Sequence, residues 1–171
     1  MSLSVPVKVV YFAAVMYNPL KMSDPREVIS RLFGTPVLCS DEFDFSHTEY
    51  YTREMGQGLR KYFAAFKSAG NIGDLPDFKL LAIDEEKRLA IEGNRVINID
   101  PGYLAQEKVV AASTKNFTHR IYIGKGIYGD LQLMRKKGSY TPMPWTYPDY
   151  VRPEAADFFN RLYRVLGISH S

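Results

Sequence analysis

Long apolar runs and alternating stretches along the chain predict a set of strands. Residues 7–17 (VKVVYFAAVMY) form a near-continuous apolar run, which is typical of a central strand buried on both faces of a sheet. The segment RVINI at residues 95–99 predicts another strand, and residues 36–45 predict a further one that alternates near its end. Residues 59–67 (LRKYFAAFK) fit a strand slightly better than a helix, because the segment is short and aromatic.

Helices are expected between these strands. Residues 24–27 (DPRE) are typical of a helix start, because Asp24 can accept hydrogen bonds from first-turn amides and Pro25 has no N–H group to leave unpaired. Residues 75–91 contain a helix, although the first few also suit a short strand. A short helix is expected over residues 104–112, and Pro153 begins the last helix.

The C-terminal half predicts a hairpin and a rigid loop. Residues 120–123 and 127–134 pair as two strands about Gly124-Lys125-Gly126, where glycine supplies the turn conformations. Residues 142–148 contain three prolines, so they form an extended surface or cleft-covering loop.

This order of elements predicts an α+β fold. We expect a mainly antiparallel sheet with helices packed on one face: a ferredoxin-like sandwich with an elaborated C-terminal hairpin and helix. The chain has no internal repeat, low-complexity tract or linker, so residues 1–171 are expected to form a single domain.

Composition places the chain among cytoplasmic globular proteins. Hydrophobic residues make up 46% and charged residues 24%, which excludes disordered and fibrous classes. The single cysteine cannot form an internal disulfide, and no stretch approaches the about 20 apolar residues needed to span a bilayer. No signal-peptide pattern is present at the N-terminus, so no membrane association is expected.

The net charge of +3 is unevenly distributed. Residues 41–54 are mostly acidic, whereas residues 108–137 carry several lysines and arginines against Asp130 alone. A basic region attracts anions, so the second stretch favours phosphate or nucleic acid as a ligand. An equally good interpretation is that the acidic and basic stretches face one another.

Asp100 is the first candidate for catalysis. It follows the apolar strand, and Pro101-Gly102 predicts an immediate turn, so the carboxylate would be presented at a strand end. The structural alternative is an Asx-turn, in which Asp100 accepts hydrogen bonds from amides of its own loop.

A second group of candidates precedes the predicted hairpin. Lys115 and Arg120 provide charge and directional donors for a phosphate or carboxylate ligand. His119 is the second catalytic candidate, as an acid or a base. The alternative for His119 is a packed side chain with one satisfied ring nitrogen.

Three further ligand-binding candidates lie in turns and loops. Lys125 is expected to be exposed at the hairpin turn. Because Gly126 and then a strand follow it, this turn is not a phosphate-binding loop, which would lead into a helix. The sequence contains no Walker motif. Trp145 and Tyr147 lie in a proline-bounded loop that would present flat surfaces to a base or ring. The alternative is that Trp145 pins this loop to the core.

No metal site is predicted. Asp44 and His47 are three positions apart, and Asp100 and His119 would have to join them in space. Paired histidines or a cysteine cluster of recognised spacing are missing from the sequence.

Three strings carry a family resemblance. NIDPGYL (98–104), STKNFTHRIYIGKGIY (113–128) and PWTYPDY (144–150) resemble a prokaryotic family of similar length that is labelled only as a domain of unknown function. Some members carry a GTP-binding label, and this chain lacks the motif that would justify it. The resemblance therefore implies a family and no mechanism.

The leading hypothesis is a small-molecule-binding protein or enzyme for an anionic or nucleotide-like ligand, with a site in residues 98–150. It requires the candidate side chains to converge on one pocket. The alternatives are a non-catalytic interaction protein with structural motifs, and, ranked last, a weak nucleic-acid-binding module. Neither a cofactor nor an oligomeric state follows from the sequence.

Overall fold

The structure is a computed structural model that describes residues 8–46, 48–67, 71–165 and 167. Val7 of the first predicted strand and His47 lie outside the described residues. The strands are β1 (Val10–Tyr17), β2 (Pro36–Cys39), β3 (Phe43–Asp44), β4 (Arg60–Phe66), β5 (Ile97–Leu104), β6 (Lys108–Ser113), β7 (Arg120–Gly124), β8 (Ile127–Lys136) and β9 (Ser139–Pro142). The helices are α1 (Arg26–Phe33), α2 (Thr52–Met55), α3 (Leu75–Leu89) and α4 (Pro153–Val165), with 3₁₀ turns at Ile72–Asp74 and Pro148–Val151.

The described strands form one nine-stranded sheet. The strand order is β2-β4-β1-β5-β6-β8-β7, with β3 also paired to β4 and β9 to β8, and each of these pairings is antiparallel. The α+β class with a mainly antiparallel sheet is confirmed. The connection β1-α1-β2-β4-α3-β5 supports the ferredoxin-like sandwich, which stays a prediction.

Helices cover both faces of the sheet, so the prediction of helices on one face is wrong. Phe12 and Ala14 face α4, where they join a cluster with Phe158. Ala13 faces the opposite side, in a cluster with residues of α1 and α3. The physical reason is that all eight residues of β1 are buried. A strand that is apolar on both faces must be covered on both faces to remove its surface from water.

The segment after Asp100 is a strand, not a turn. Strand β5 continues through Pro101-Gly102 to Leu104, and β6 replaces the helix predicted over residues 104–112. Gly102 is required by close packing, because a Cβ there would lie 2.5 Å from both Phe12 Cζ and Val110 O. The glycine that indicated a turn instead permits two neighbouring strands to approach.

On the N-terminal side of Gly102, strand β5 separates from β6. Their pairing begins at Gly102 with Ala111 and runs to Leu104, so it does not include residues 97–101 of β5. Pro101 has no N–H group to donate to a neighbouring strand, which fits the end of the ladder at this residue. Asn98 and Asp100, which alternate with the buried Ile97 and Ile99, are thereby left without a β6 neighbour.

The hairpin of β7 and β8 is confirmed. Its turn residues Gly124, Lys125 and Gly126 have φ angles of 108°, 54° and 77°, the left-handed region that favours glycine. No helix in the described parts of the chain is both long and apolar enough to cross a membrane.

Candidate functional site

A cleft of about 670 Å³ opens where β5 and β6 separate. Residues from the two strands, from β4 and α3, and from the loops around α2 and before α4 line it. The lining residues are Phe45, Thr48, Tyr50, Tyr51, Lys61, Lys79, Arg95, Asn98, Asp100, Ala111, Ala112, Ser113, Thr114, Lys115, Arg120, Tyr147, Pro148, Asp149 and Tyr150.

Asp100 is held in the cleft by hydrogen bonds to both of its oxygens. Lys79 Nζ donates to Oδ1 at 2.7 Å, and Asn98 Nδ2 donates to Oδ2 at 2.7 Å. Lys79 belongs to α3, which packs on the opposite face, and its ammonium also donates to the carbonyl oxygen of Ile99 at 3.0 Å. The Asp100 side chain is still 30% exposed, so a ligand in the cleft can reach it.

The charges around Asp100 keep it ionised. Burial by itself raises the pKa of this carboxyl, but the ammonium groups of Lys79 and Lys61 and the two hydrogen bonds outweigh burial, so the pKa lies below its ordinary value. At neutral pH Asp100 is therefore a carboxylate. It can accept hydrogen bonds or a proton, and it is poorly suited to act as a general acid.

A second row of charged groups holds Asn98 in place. Arg95 Nη1 donates to Asn98 Oδ1 at 2.8 Å, and the same guanidinium binds both oxygens of Glu54, each at 2.8 Å. The hydrogen bond from Arg95 lowers the pKa of Glu54 despite the opposing effect of burial. The paired Arg95 and Glu54 connect the segment just before β5 with α2, and Arg95 lines the cleft.

Lys61 and Asp149 form a buried ion pair beside this network. Lys61 Nζ lies 2.6 Å from Asp149 Oδ2, with only 7% and 4% of the two side chains exposed. Lys61 is part of β4, and Asp149 lies in the 3₁₀ turn before α4. Removing two charges from water is costly even when they are paired, so such a pair is weak evidence for stability and suggests another role.

Tyrosines form much of the remaining wall. Burial, followed by the nearby carboxylate of Asp100 for Tyr51, Asp130 for Tyr147 and Asp149 for Tyr150, raises the pKa of each phenol. These tyrosines stay protonated at neutral pH. Their rings are available as stacking surfaces, while the Tyr147 hydroxyl already donates to Asp130 Oδ2 at 3.1 Å.

Lys115 places a positive charge at the mouth of the cleft. Its ammonium donates to the hydroxyl of Tyr50 and lies 4.6 Å from the centre of the Tyr50 ring. It forms no ion pair with a carboxylate among the described residues. The Lys115 backbone N–H donates to Ser113 Oγ at 3.1 Å, which fixes the loop that carries it.

Arg120 lines the cleft mainly as a positioning residue. Its guanidinium donates to the fully buried Asp130 at 2.8 Å through Nε and to the carbonyl oxygen of Lys115 at 2.9 Å through Nη1. Its Nη2 donates to the hydroxyl of Tyr147. Arg120 thus ties the Lys115 loop and Tyr147 to strand β8.

His119 and Trp145 lie behind the cleft wall and are not among its lining residues. Their rings stack with centroids 4.9 Å apart, and His119 Nε2 lies 3.4 Å from Asp130 Oδ1. Trp145 Nε1 donates to the carbonyl oxygen of Leu131 at 2.7 Å, which holds the loop on β8. Trp145 therefore pins its loop to the sheet, whereas His119 is packed but its buried Nε2 makes no hydrogen bond among the described residues.

Lys125 lies at the tip of the hairpin and forms an ion pair with Asp77 of α3. It is not a lining residue of the cleft. Of the seven sequence candidates, the structure thus brings Asp100, Lys115, Arg120 and Tyr147 together, and leaves His119, Trp145 and Lys125 outside the cleft.

Sequence reasoning missed Lys61, Lys79 and Asp149. Lys61 precedes the apolar residues 62–66 of β4 and is buried with them, and a buried lysine must either pair or face a cavity, so that signal was available. Lys79 gave no comparable signal, because a lysine in a helix is usually on its solvent-facing side. Among the described residues, no group of three or more histidine, cysteine, aspartate or glutamate side chains is arranged to hold a metal ion.

Comparisons with known proteins give a family and no function. The search of curated proteins and the search of solved structures each returned no match. A family model described as Domain of unknown function (DUF4416) matches residues 6–165. That match includes every residue that lines the cleft. The chain therefore belongs to the DUF4416 family of proteins of unknown function.

Proposed function

We propose that the cleft binds a small organic anion, with its phosphate or carboxylate group at the mouth against Lys115 and its body between the tyrosines. The observation that carries this proposal is the positive charge of Lys115, which no described carboxylate neutralises, at the entrance of a cleft of about 670 Å³. Ligand pockets for small molecules usually have volumes of about 300–1,000 Å³.

The charge of the lining supports an anionic ligand. Five basic side chains line the cleft. Four of them are paired with carboxylates, Lys61 with Asp149, Lys79 with Asp100, Arg95 with Glu54 and Arg120 with Asp130, so the charge in excess is that of Lys115. A concave surface with an excess of one charge concentrates ligands of the opposite charge.

The fixed geometry of the inner cleft also supports a binding function. Asp100, Asn98 and Arg95 are connected by hydrogen bonds of 2.7–2.8 Å, so these groups need little reordering when a ligand arrives. Preorganisation of this kind raises affinity by reducing the entropy lost on binding. The lowered pKa of Asp100 keeps it ionised but makes it a weak base, so its geometry fits a hydrogen-bond acceptor better than a proton-transfer group.

We further propose that residues 1–171 form one domain with a ferredoxin-like core, and that the protein is prokaryotic and has a cytoplasmic location. The single cysteine and the absence of a membrane-spanning helix among the described residues support the location. The connection and order of β1, β2, β4 and β5 support the core.

Isothermal titration with inorganic phosphate, AMP and succinate tests the proposal. We expect at least one of these anions to bind, with the Kd raised about tenfold or more in Lys115→Ala, because the mouth loses its charge. Lys125→Ala is the matched control, since it removes the same charge outside the cleft, and its Kd should stay unchanged. Binding that is absent for all three anions, or equally weakened in both variants, would rule the proposal out.

The basic hairpin gives less support to nucleic-acid binding. Lys125 is paired with Asp77, and the guanidinium of Arg135 lies 3.6 Å from the ring centre of Tyr163. A titration with a single-stranded RNA oligonucleotide at low salt tests this alternative. Tight binding that falls steeply with salt would favour it over the cleft.

A further inference from the structure

The inner end of the cleft carries a different chemistry from its mouth. Lys115 at the mouth is a cation without a carboxylate partner in the described part of the chain, whereas the inner end exposes 30% of the Asp100 carboxylate beside the guanidinium of Arg95, which is bound to Glu54. We infer that the ligand is a phosphorylated polyhydroxy compound, whose phosphate lies at Lys115 and whose hydroxyl groups donate to Asp100. This inference rests on the proposed function, because it assigns the opposite end of the same ligand.

The Asp100 carboxylate retains capacity to accept hydrogen bonds. Each of its oxygens has one side-chain donor in the structure, Lys79 for Oδ1 and Asn98 for Oδ2. A carboxylate oxygen has two lone-pair directions, so each retains one for a ligand. Since 30% of the side chain is exposed and the group is ionised, a ligand donor can use that capacity.

The cations around Asp100 favour a neutral donor over an ammonium group. Lys79 lies 2.7 Å from Asp100 Oδ1, and Lys61 is close enough to lower the pKa of the same carboxyl. Arg95 also lines this part of the cleft. A ligand ammonium would bring a further positive charge among these three, whereas a hydroxyl group gains the charge-assisted hydrogen bond without that repulsion.

The wall between the two ends suits a compact ring or chain bearing C–H groups and oxygens. Tyr50 and Tyr147 are partly exposed and present their rings, while the raised pKa of Tyr147 keeps its phenol protonated. Strand β6 contributes Ala111 and Ala112 to the lining, two small residues that leave space in the cleft. Sugar rings present apolar C–H faces to aromatic rings and hydroxyl groups to polar side chains.

The test compares phosphate compounds, of which propyl phosphate and glycerol 3-phosphate form a matched pair that differs only in hydroxyl groups. The probes are inorganic phosphate, propyl phosphate, glycerol 3-phosphate, ribose 5-phosphate and AMP, each titrated calorimetrically into the unmodified full chain. We expect glycerol 3-phosphate or ribose 5-phosphate to bind about tenfold or more tightly than propyl phosphate, because only they can donate to Asp100. AMP binding more tightly than ribose 5-phosphate would identify a nucleotide, and the reverse order a sugar phosphate.

Two variants locate the effect. Asp100→Asn keeps the size of the side chain and should lower the preference for glycerol 3-phosphate over propyl phosphate about tenfold, because the amide lacks the charge that strengthens the hydrogen bond. Lys115→Ala should weaken all of the probes together.

The outcomes separate the two proposals. If the unmodified protein binds phosphate esters through Lys115 but does not distinguish glycerol 3-phosphate or ribose 5-phosphate from propyl phosphate, the inference about hydroxyl recognition is wrong and the anion site stands. If no probe binds in a Lys115-dependent manner, the proposed function itself fails. The comparison of probes needs no variant, so it decides even if Asp100→Asn does not fold.

Discussion

The side of the sheet that faces α4 has two halves with opposite chemistry, although the same strands build both. In β4, Phe63 packs in the aromatic cluster under α4, while Lys61, two residues earlier on the same face, reaches the cleft. In β5, Leu104 belongs to that cluster, while Asp100 lines the cleft. The alternation of side chains along a strand therefore sets which face each residue occupies. The element that covers that part of the face determines whether the residues there are apolar or polar.

The two halves also differ in how they affect stability. Burying a large apolar side chain contributes about 1.5–3 kcal/mol to folding. A buried ion pair such as Lys61 with Asp149 is often no more stabilising than apolar residues of similar volume. The cleft half thus departs from the chemistry that would best stabilise the fold, and such departures are expected where a protein binds something.

Removing an aromatic ring from the apolar half should have the largest effect. Phe63 is fully buried and its ring lies within 5.6 Å of the rings of Tyr150, Phe158 and Phe159. Phe63→Ala should lower the free energy of unfolding by about 4 kcal/mol, because it removes buried surface and leaves a cavity. Urea denaturation measures the change. A loss below about 1 kcal/mol would mean that the cluster under α4 is loosely packed.

Breaking the buried ion pair of Lys61 and Asp149 should lower the free energy of unfolding somewhat less. A second substitution should restore most of the loss. Asp149→Ala leaves the Lys61 ammonium buried without its carboxylate, and we expect a loss of about 3 kcal/mol. The double variant Lys61→Met/Asp149→Leu should recover most of that loss while weakening ligand binding. If the double variant is as unstable as Asp149→Ala, the ion pair itself stabilises the fold. The cleft half would then not differ from the apolar half in its contribution to stability.

Gly102 lies at the boundary between the halves. Gly102→Ala should lower the free energy of unfolding by about 2 kcal/mol, because its Cβ would lie 2.5 Å from Phe12 Cζ and Val110 O. Gly129→Ala in β8 is the matched control, since its Cβ would meet its nearest neighbours at 3.4 Å. Equal stability of the two variants in urea would show that close approach of β5 and β6 is not what selects glycine at residue 102.

The difference between the halves also explains what the sequence could predict. The apolar run of β1, the hairpin about Lys125 and the α+β class follow from periodicity and turn residues, which are local signals. Pro101-Gly102 misled the prediction, because a local turn signal and a close contact with Phe12 both select glycine. Only the tertiary structure distinguishes the two causes.

The candidate site was predictable only in part for the same reason. Asp100 and Lys115 were recognisable as polar groups in a distinctive segment, and the structure brings both to the cleft. Lys79 is 21 residues from Asp100 in sequence and approaches it from the opposite face of the sheet. Such a partner follows from the separation of β5 and β6, which no local pattern encodes.

Acid should destabilise the cleft half through Asp100. Its pKa is lower in the folded chain than its ordinary value of 3.8, so the unfolded chain binds the proton first as the pH falls. The stability contributed by Asp100 is thus present above about pH 4 and is lost as the pH falls through the folded pKa. Asp100→Asn should have a lower Tm at neutral pH and a smaller further drop on acidification, measured by circular dichroism. If Tm falls with pH equally in the unmodified protein and in Asp100→Asn, the pKa of Asp100 is not lowered by folding. The dependence of Tm on pH that remains in Asp100→Asn should come from groups such as Glu54.

The smallest effect is expected at Lys125, which lies outside both halves. Its ion pair with Asp77 joins two side chains that are each 54% exposed, and such surface pairs contribute about 0–1 kcal/mol. Lys125→Ala should therefore change the free energy of unfolding by less than about 0.5 kcal/mol and leave the Kd of any phosphate ester unchanged. A clear loss of affinity in this variant would place the anion on the hairpin rather than in the cleft. Since Lys115 and Lys125 carry the same charge on loops of the same half of the chain, the difference between their variants measures how much binding depends on the shape of the cleft rather than on net charge.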